Sequence, residues 1–218
     1  MRRDEDVELA KLNRLCFLPL DAVRRFWKIQ FPSGPLAETP KLSEIKDHGL
    51  HVTIVQLPKQ TIFVFQPVEG FSNWPRIIFD VELKPFENAL VHEGALLALS
   101  PHFAKLDAVK GKRLYTGMSF GGVFAQIYNL HYPAPTVTFG SMRVGREIPL
   151  GPKNYVNRGD IVPSIPSNFD KPVGTVDAGD CSANCTASVW CHAKYLGVDF
   201  AVVDVVSRLI HFLSKHSH

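Results

Sequence analysis

The sequence has no apolar run of about eighteen residues, the length that a bilayer-spanning helix needs. It has no basic stretch longer than a pair such as Arg24-Arg25 or Lys112-Arg113, and its net charge is only +3. Together these exclude the electrostatic footprint of a nucleic-acid binder. Cysteine is scarce. Of Cys16, Cys181, Cys185 and Cys191, three crowd one short segment, too few and too clustered for a disulfide framework. The first residues, Met1 to Asp6, mix charges where a secretory leader needs an apolar segment, so an intracellular location is the expectation. The remaining composition is that of an ordinary globular protein, 45% hydrophobic and 21% charged. At 218 residues the chain suffices for one domain with a full core, and a single α/β domain over 1–218 is expected.

Elements alternate along the chain. Val7 to Leu15 carries an apolar face behind Asp4, a candidate cap for a first helix. A second helix opens at Asp21, with Ala22, Val23, Phe26 and Trp27 at helical spacing and Pro32 ending it. Phe31 to Leu42, with three prolines and a glycine, reads as a loop. His51 to Leu57 and Thr61 to Phe65 are apolar, β-branched runs separated by Pro58-Lys59-Gln60, and read as paired strands. Gln66 to Arg76 reads as a loop, and Ala89 to Leu99 as a helix that stops at Pro101. Arg113 to Thr116, Thr136 to Phe139 and Asn154 to Asn157 are further short strands. Asp199 to Ser214 reads as an amphipathic C-terminal helix, most simply packed on the core by Val202, Val203, Val206, Leu209, Ile210 and Leu213. This alternation implies an α/β fold with a largely parallel central sheet flanked by helices.

The chemistry concentrates at Gly117-Met118-Ser119-Phe120-Gly121, a G-x-S-x-G pattern between an expected strand and an expected helix. In that context the chain turns so sharply that the serine is strained. Small residues on either side let the strand and helix approach. The Ser119 hydroxyl then rises above the sheet, and the Phe120 N–H, at the helix N-terminus, faces a developing oxyanion. A serine needs a histidine base and an acid to orient it, in the chain order Ser, acid, His. Asp160, just past a strand, and His192 satisfy that order. His131 lies too close to Ser119 within the following helix, and His211, His216 and His218 belong to the C-terminal helix or its tail. Asp170, Asp177 and Asp180 remain competing acids on spacing alone.

Six ordered segments resemble the fungal-type triacylglycerol lipases, the class 3 lipases, which have the α/β-hydrolase fold. Phe65 to Trp74 is similar to the family's F-R-G-[ST] strand end and lid; Val91-His92-Glu93-Gly94 to V-H-x-G; and Gly117 to Gly122 to G-H-S-L-G-G. Thr138 to Gly145 is similar to T-F-G-x-P-R-V-G, Val156 to Pro163 to V-N-x-x-D-x-V-P, and Ser188 to Gly197 to S-V-x-D-H-x-x-Y-F-G. Thr61 to Gly197 covers about two-thirds of the chain. The resemblance implies Ser119 as nucleophile, Asp160 as acid and His192 as base. It also implies a second oxyanion donor at Val68 and a lid or acyl pocket at Phe71 and Trp74. The activity implied is hydrolysis of lipid-type carboxylic esters through an acyl-enzyme.

The sequence departs from the family where F-R-G-[ST] becomes Phe65-Gln66-Pro67-Val68. Val68 keeps the backbone N–H and lacks the hydroxyl that the family's Ser or Thr adds, and one lost donor can cost about 10²–10³ in kcat. An alternative from another class follows: a lipid-binding or interaction protein of the same fold with little turnover. Met118 and Met142 replace a histidine and a proline that carry no chemistry. Cys181-x3-Cys185-x5-Cys191-His192 has the ligand types of structural zinc but not the C-x2-C spacing, so a Cys181–Cys185 disulfide or free thiols are expected instead. His92 is expected to be a structural hydrogen-bonder, and His48 and His51 surface or strand residues. No metal or cofactor is called for. The expected partners are a lipid or other ester substrate, with room for transient contact with a membrane or lipid interface.

Overall fold

The computed structural model describes residues 3–47, 49–66, 82–149, 151–158, 160–170 and 174–180. Helices α1 (Arg3–Leu15) and α2 (Leu20–Gln30) open the chain, followed by strands β1 (Lys41–Asp47), β2 (Leu50–Gln56) and β3 (Thr61–Gln66). Next come β4 (Leu83–Phe86), β5 (Ala89–His92), α3 (Glu93–Leu99), a 3₁₀ turn Ser100–His102 and α4 (Phe103–Asp107). Then follow β6 (Arg113–Met118), α5 (Phe120–His131), β7 (Thr136–Phe139), β8 (Gly145–Arg146), β9 (Lys153–Arg158) and β10 (Thr175–Asp180).

Seven of these strands form one sheet in the order β1-β2-β3-β6-β7-β9-β10. The β1–β2 and β2–β3 pairs are antiparallel, joined by short connections. From β3 onward every pair is parallel, which requires crossovers and covers both faces. Strand β3, third of the seven, shows why. Ile62 and Val64 face one way, into a cluster with Leu9 and Leu12 of α1, Trp27 of α2, Leu114, Met118 and Val137. Phe63 and Phe65 face the other, into a cluster with Tyr115, Phe120, Phe124, Tyr128 and Leu99. All six β3 residues are buried, as a strand sandwiched between helical layers must be. Helices α1 and α2 thus cover one face, and α5 with α3 and α4 the other. β4, β5 and β8 make a separate three-stranded antiparallel sheet.

Several sequence expectations shift. Helix α1 runs from Arg3, so Asp4 sits inside its first turn rather than capping it. In α2 only Val23 and Trp27 are buried; Phe26 is 43% exposed, because the inward stripe is one residue pair wide. Ala89–His92, expected as the start of a helix, is instead a strand paired with β4 and β8, and the helix begins only at Glu93. Lys41 and Leu42, expected in a loop, are the first two residues of strand β1. Phe71, Trp74 and the rest of 67–81, and the C-terminal helix expected over 199–214, lie outside the described residues.

Candidate active site

The turn from β6 to α5 is shaped by what it cannot accommodate. Ser119 has φ +54° and ψ −127°, a left-handed-side conformation that a non-glycine residue holds only at a cost of about 1–3 kcal/mol. Its N–H donates to the Phe139 carbonyl at 3.0 Å, and its carbonyl accepts the Gly122 N–H at 3.0 Å, so both sides of the strained residue are pinned. A Cβ on Gly117 would stand 2.4 Å from the Gly121 carbonyl oxygen, and one on Gly121 2.3 Å from that of Phe65. Strand, turn and helix therefore approach too closely for any side chain at either position. This is the physical content of the G-x-S-x-G spacing. Ser119 is half-buried, at the first turn of a helix whose N-terminal N–H groups point toward its side.

A third glycine extends the contact. A Cβ on Gly122 would meet the Ser141 Cβ at 2.5 Å. Ser141 belongs to a buried polar network behind the turn. Gln126 donates to the Ser141 hydroxyl at 2.9 Å, and the Ser141 N–H and the Thr138 hydroxyl both donate to Asn154 Oδ1, at 3.1 and 3.0 Å. The network ties α5 to β7 and β9. The sequence placed Thr138 and Ser141 in the segment Thr138 to Gly145 and Asn154 in a strand, but the bonds that join them and Gln126 depend on pairing between distant segments and leave no local signal.

The C-terminal ends of the parallel strands converge beside the turn. Phe65 pairs with Gly117, so the chain leaves β3 next to the elbow on its way to residues 67 and 68. Gln66, the last residue of β3, is 1% exposed; its amide donates to the Cys16 carbonyl and, at 3.2 Å, to the Thr53 hydroxyl. It clamps the end of α1 and the start of the segment expected to supply Val68. On the other side β7 and then β9 follow β6, and Asp160 stands just past the end of β9.

Asp160 is 8% exposed, and its carboxylate accepts the Val162 N–H at 2.9 Å. The competing acids differ. Asp177 is exposed and pairs with Arg158 at 2.9 Å; Asp170 is exposed and accepts the Glu147 N–H at 2.9 Å. The side chain of Asp180, together with His192, Val68, Pro67, Cys181, Cys185 and Cys191, falls outside the described residues. The structure thus brings Ser119, Phe120 and Asp160 to the same end of the parallel strands of one sheet. That end, the carboxyl end of the strands, is where open α/β sheets bind ligands.

Two histidines find structural settings. His92 is fully buried, and its Nδ1 accepts the Ala95 N–H at 3.3 Å, capping α3. Its ring stands edge-on to Phe120 at 5.3 Å and to Phe169 at 5.9 Å, so it wedges the elbow against the loop that follows Asp160. His131, at the far end of α5, stacks on Phe103 at 4.2 Å and meets Asp107 at 3.0 Å. Asp107 also accepts the Tyr128 hydroxyl at 2.7 Å, which in turn accepts from Arg113 at 2.7 Å. Burial would raise the Asp107 carboxyl, but the Tyr128 and His131 hydrogen bonds and the His131 and Arg113 charges outweigh it and hold it below the usual range. Burial also pushes the Cys16 thiol up to about 12, which makes it an inert packing residue. A cleft of about 340 Å³, lined by Glu5, Leu36, Gln60, Lys112 and Pro135, opens at the opposite ends of β3 and β6, away from Ser119.

No family model and no curated protein matches the sequence. Solved structures do. The chain is similar to the triacylglyceride lipase of Rhizomucor miehei, with 18% identity, a TM-score of 0.54, and coverage of 76% of this chain and 74% of that one. It is similar to a triacylglycerol lipase described as having a serine protease triad at its catalytic centre, with 19% identity and a TM-score of 0.56 over 92% and 96% of the two chains. It is similar also to a variant enzyme, MDLA N225Q, from Penicillium cyclopium, with 13% identity and a TM-score of 0.52 over 76% of each chain. The chain has the α/β-hydrolase fold of the fungal triacylglycerol lipases.

Proposed function

We propose that this protein is a serine carboxylic ester hydrolase that cleaves lipid-type esters. The observation that carries the reading is Ser119 held at φ +54° on a glycine-lined strand–helix turn, with the buried carboxyl of Asp160 at the same end of the parallel strands. In this reading Ser119 Oγ attacks the ester carbonyl while His192 takes its proton. The N–H groups of Phe120 and Val68 receive the oxyanion. His192 returns the proton to the leaving alcohol, and an acyl-enzyme remains. His192 then activates water, which releases the acid. Asp160 fixes the imidazole tautomer. The solved lipase whose catalytic centre is described as a serine protease triad supports the assignment, as do the six ordered sequence segments.

The test is labelling by a fluorophosphonate probe, followed by hydrolysis of a panel of p-nitrophenyl esters and phospholipids. Ser119 should be the labelled residue, and Ser119→Ala should lose both labelling and turnover. His192→Ala and Asp160→Ala should each drop kcat steeply, with the double variant little worse than the worse single, because the three act as a unit. Val68→Ser or Val68→Thr should raise kcat by about one to two orders of magnitude by adding an oxyanion donor. Pro67 and Val68 also favour a second reading, a lipid-binding protein with the fold and little turnover. Absent labelling at Ser119 together with retained lipid binding would select it.

A further inference from the structure

The described residues expose eight large apolar side chains, and four of them, Phe17, Leu18, Phe26 and Ile29, fall in one thirteen-residue stretch spanning the α1–α2 turn and α2. That turn has a definite address. Helix α1 begins at the lower end of the parallel strands, where Asp6 meets Lys153 and Tyr155 at the start of β9. It ends at their upper end, where the Cys16 carbonyl accepts the Gln66 amide at the end of β3. Phe17 and Leu18, 40% and 42% exposed, follow directly, at the end of the strands that carries Ser119.

The same stretch concentrates charge. Residues 11–30 hold five cations, Lys11, Arg14, Arg24, Arg25 and Lys28, and one anion, Asp21: net +4 against +3 for the whole chain. In α2, Val23 and Trp27 point inward. By helical geometry Phe26 and Ile29 share one flank, Arg24 and Lys28 the other, and Arg25 lies between them. Arg24 spends its charge on Asp21 at 2.7 Å. A helix face with apolar residues on one flank and basic ones on the other suits a water–lipid interface, an anionic one above all.

We propose that the α1–α2 hairpin is a docking surface for anionic phospholipid, with Phe17, Leu18, Phe26 and Ile29 entering the acyl boundary and Arg25 and Lys28 meeting the headgroup phosphates. The proposal rests on the ester-hydrolase reading for its purpose, which is to hold the Ser119 end of the strands against the lipid. It does not rest on it for its mechanism, since binding needs no turnover. The Gln66 clamp gives the docked hairpin a rigid link to the strand end beside the elbow.

The experiment is co-sedimentation of the full chain carrying Ser119→Ala with vesicles of phosphatidylcholine, with and without phosphatidylserine. Binding should require phosphatidylserine and weaken with salt. Phe17→Ser with Leu18→Ser, and separately Arg25→Gln with Lys28→Gln, should each weaken it about tenfold or more. In the chain with Ser119 intact, both double variants should hydrolyse a short water-soluble ester at the parent rate, with unchanged thermal melting. Vesicle binding equal to the parent in both double variants overturns the proposal. So does a hydrolase that binds neither vesicle. A dimer in solution that Phe17→Ser with Leu18→Ser dissociates, without vesicle binding, reassigns the surface to a second copy and also overturns it. Specific vesicle binding in a chain that hydrolyses no ester supports the docking surface while sinking the hydrolase reading, so the two failures are distinguishable.

Discussion

At its N-terminal end α5 starts from a residue at φ +54°, with glycines at 117, 121 and 122 whose missing side chains let three backbones touch. At its C-terminal end the same helix finishes in bulk and charge. Tyr128 and His131 bond Asp107, Arg113 bonds Tyr128, and the Arg113 guanidinium lies over the Tyr132 ring at 3.7 Å. Every polar group named there has a partner. One end gives up stability to hold a hydroxyl in place, and the other supplies it. A strained nucleophile at one pole of a helix, with a satisfied network at the other, is the arrangement expected of a site that must be rigid without being relaxed.

That contrast can be broken at either pole. The largest effect is expected from Ser119→Ala, which should lower ester turnover by about 10⁴-fold or more while leaving the unfolding midpoint nearly unchanged. An inactive protein that also fails to fold would show that the turn is structural. Next is Gly121→Ala, which forces a Cβ onto the Phe65 carbonyl. It should destabilise the chain by about 3 kcal/mol or more, read by urea denaturation, because backbone on both sides must move. Tyr128→Phe, at the opposite pole, removes two hydrogen bonds and leaves Arg113 and Asp107 short of a partner. A loss of about 1–3 kcal/mol is expected, with turnover per folded molecule unchanged. A loss of turnover there would mean that the two ends are mechanically coupled.

Smaller still is Ser119→Gly, which relieves the positive φ. It should raise stability by about 1 kcal/mol in denaturant while abolishing activity. Last comes acid sensitivity. The Asp107 carboxyl is held below its usual range in the folded chain, so its contribution is present above the unfolded carboxylate range and is lost as pH falls through the lowered folded value. Asp107→Asn should therefore flatten the acid limb of a stability-against-pH curve and leave the neutral region less stable than the parent.

The turn from β6 to α5, an elbow at Ser119, was legible in the sequence because its constraints are local: two glycines at fixed offsets, the short strand Arg113 to Thr116 before and an apolar helical face after. The strands β2, β3, β6, β7 and β9 were legible for the same reason. β5 was not, since Ala89 to Leu99 is a continuous apolar run that fits a buried helix equally well. Its pairing with Lys84-Pro85 and with the two residues of β8 is set by distant segments. β1 and β10 were missed because Lys41 to Asp47 and Thr175 to Asp180 are polar, and become strands only as edges of a sheet already formed. Among acids, sequence order left Asp170, Asp177 and Asp180 beside Asp160. Burial separates Asp160 from Asp170 and Asp177, and burial is a property of the fold rather than of spacing.

Among the described residues strand β1 pairs only with β2, so a row of its backbone groups faces away from the sheet with no strand beside it, although the Leu42 carbonyl accepts Arg24 at 3.4 Å. Such a row invites the strand of another molecule. Here the invitation is withdrawn by its side chains: Lys41, Glu44, Lys46 and Asp47 are exposed along the strand, and only Leu42 is buried. A second chain laid alongside would have to bring its own backbone past alternating charges and strip their water. The sheet can thus end in solvent without templating its own growth into a fibril, and charge-neutral replacements along Lys41 to Asp47 would be the shortest route to turning a well-behaved protein into an aggregating one.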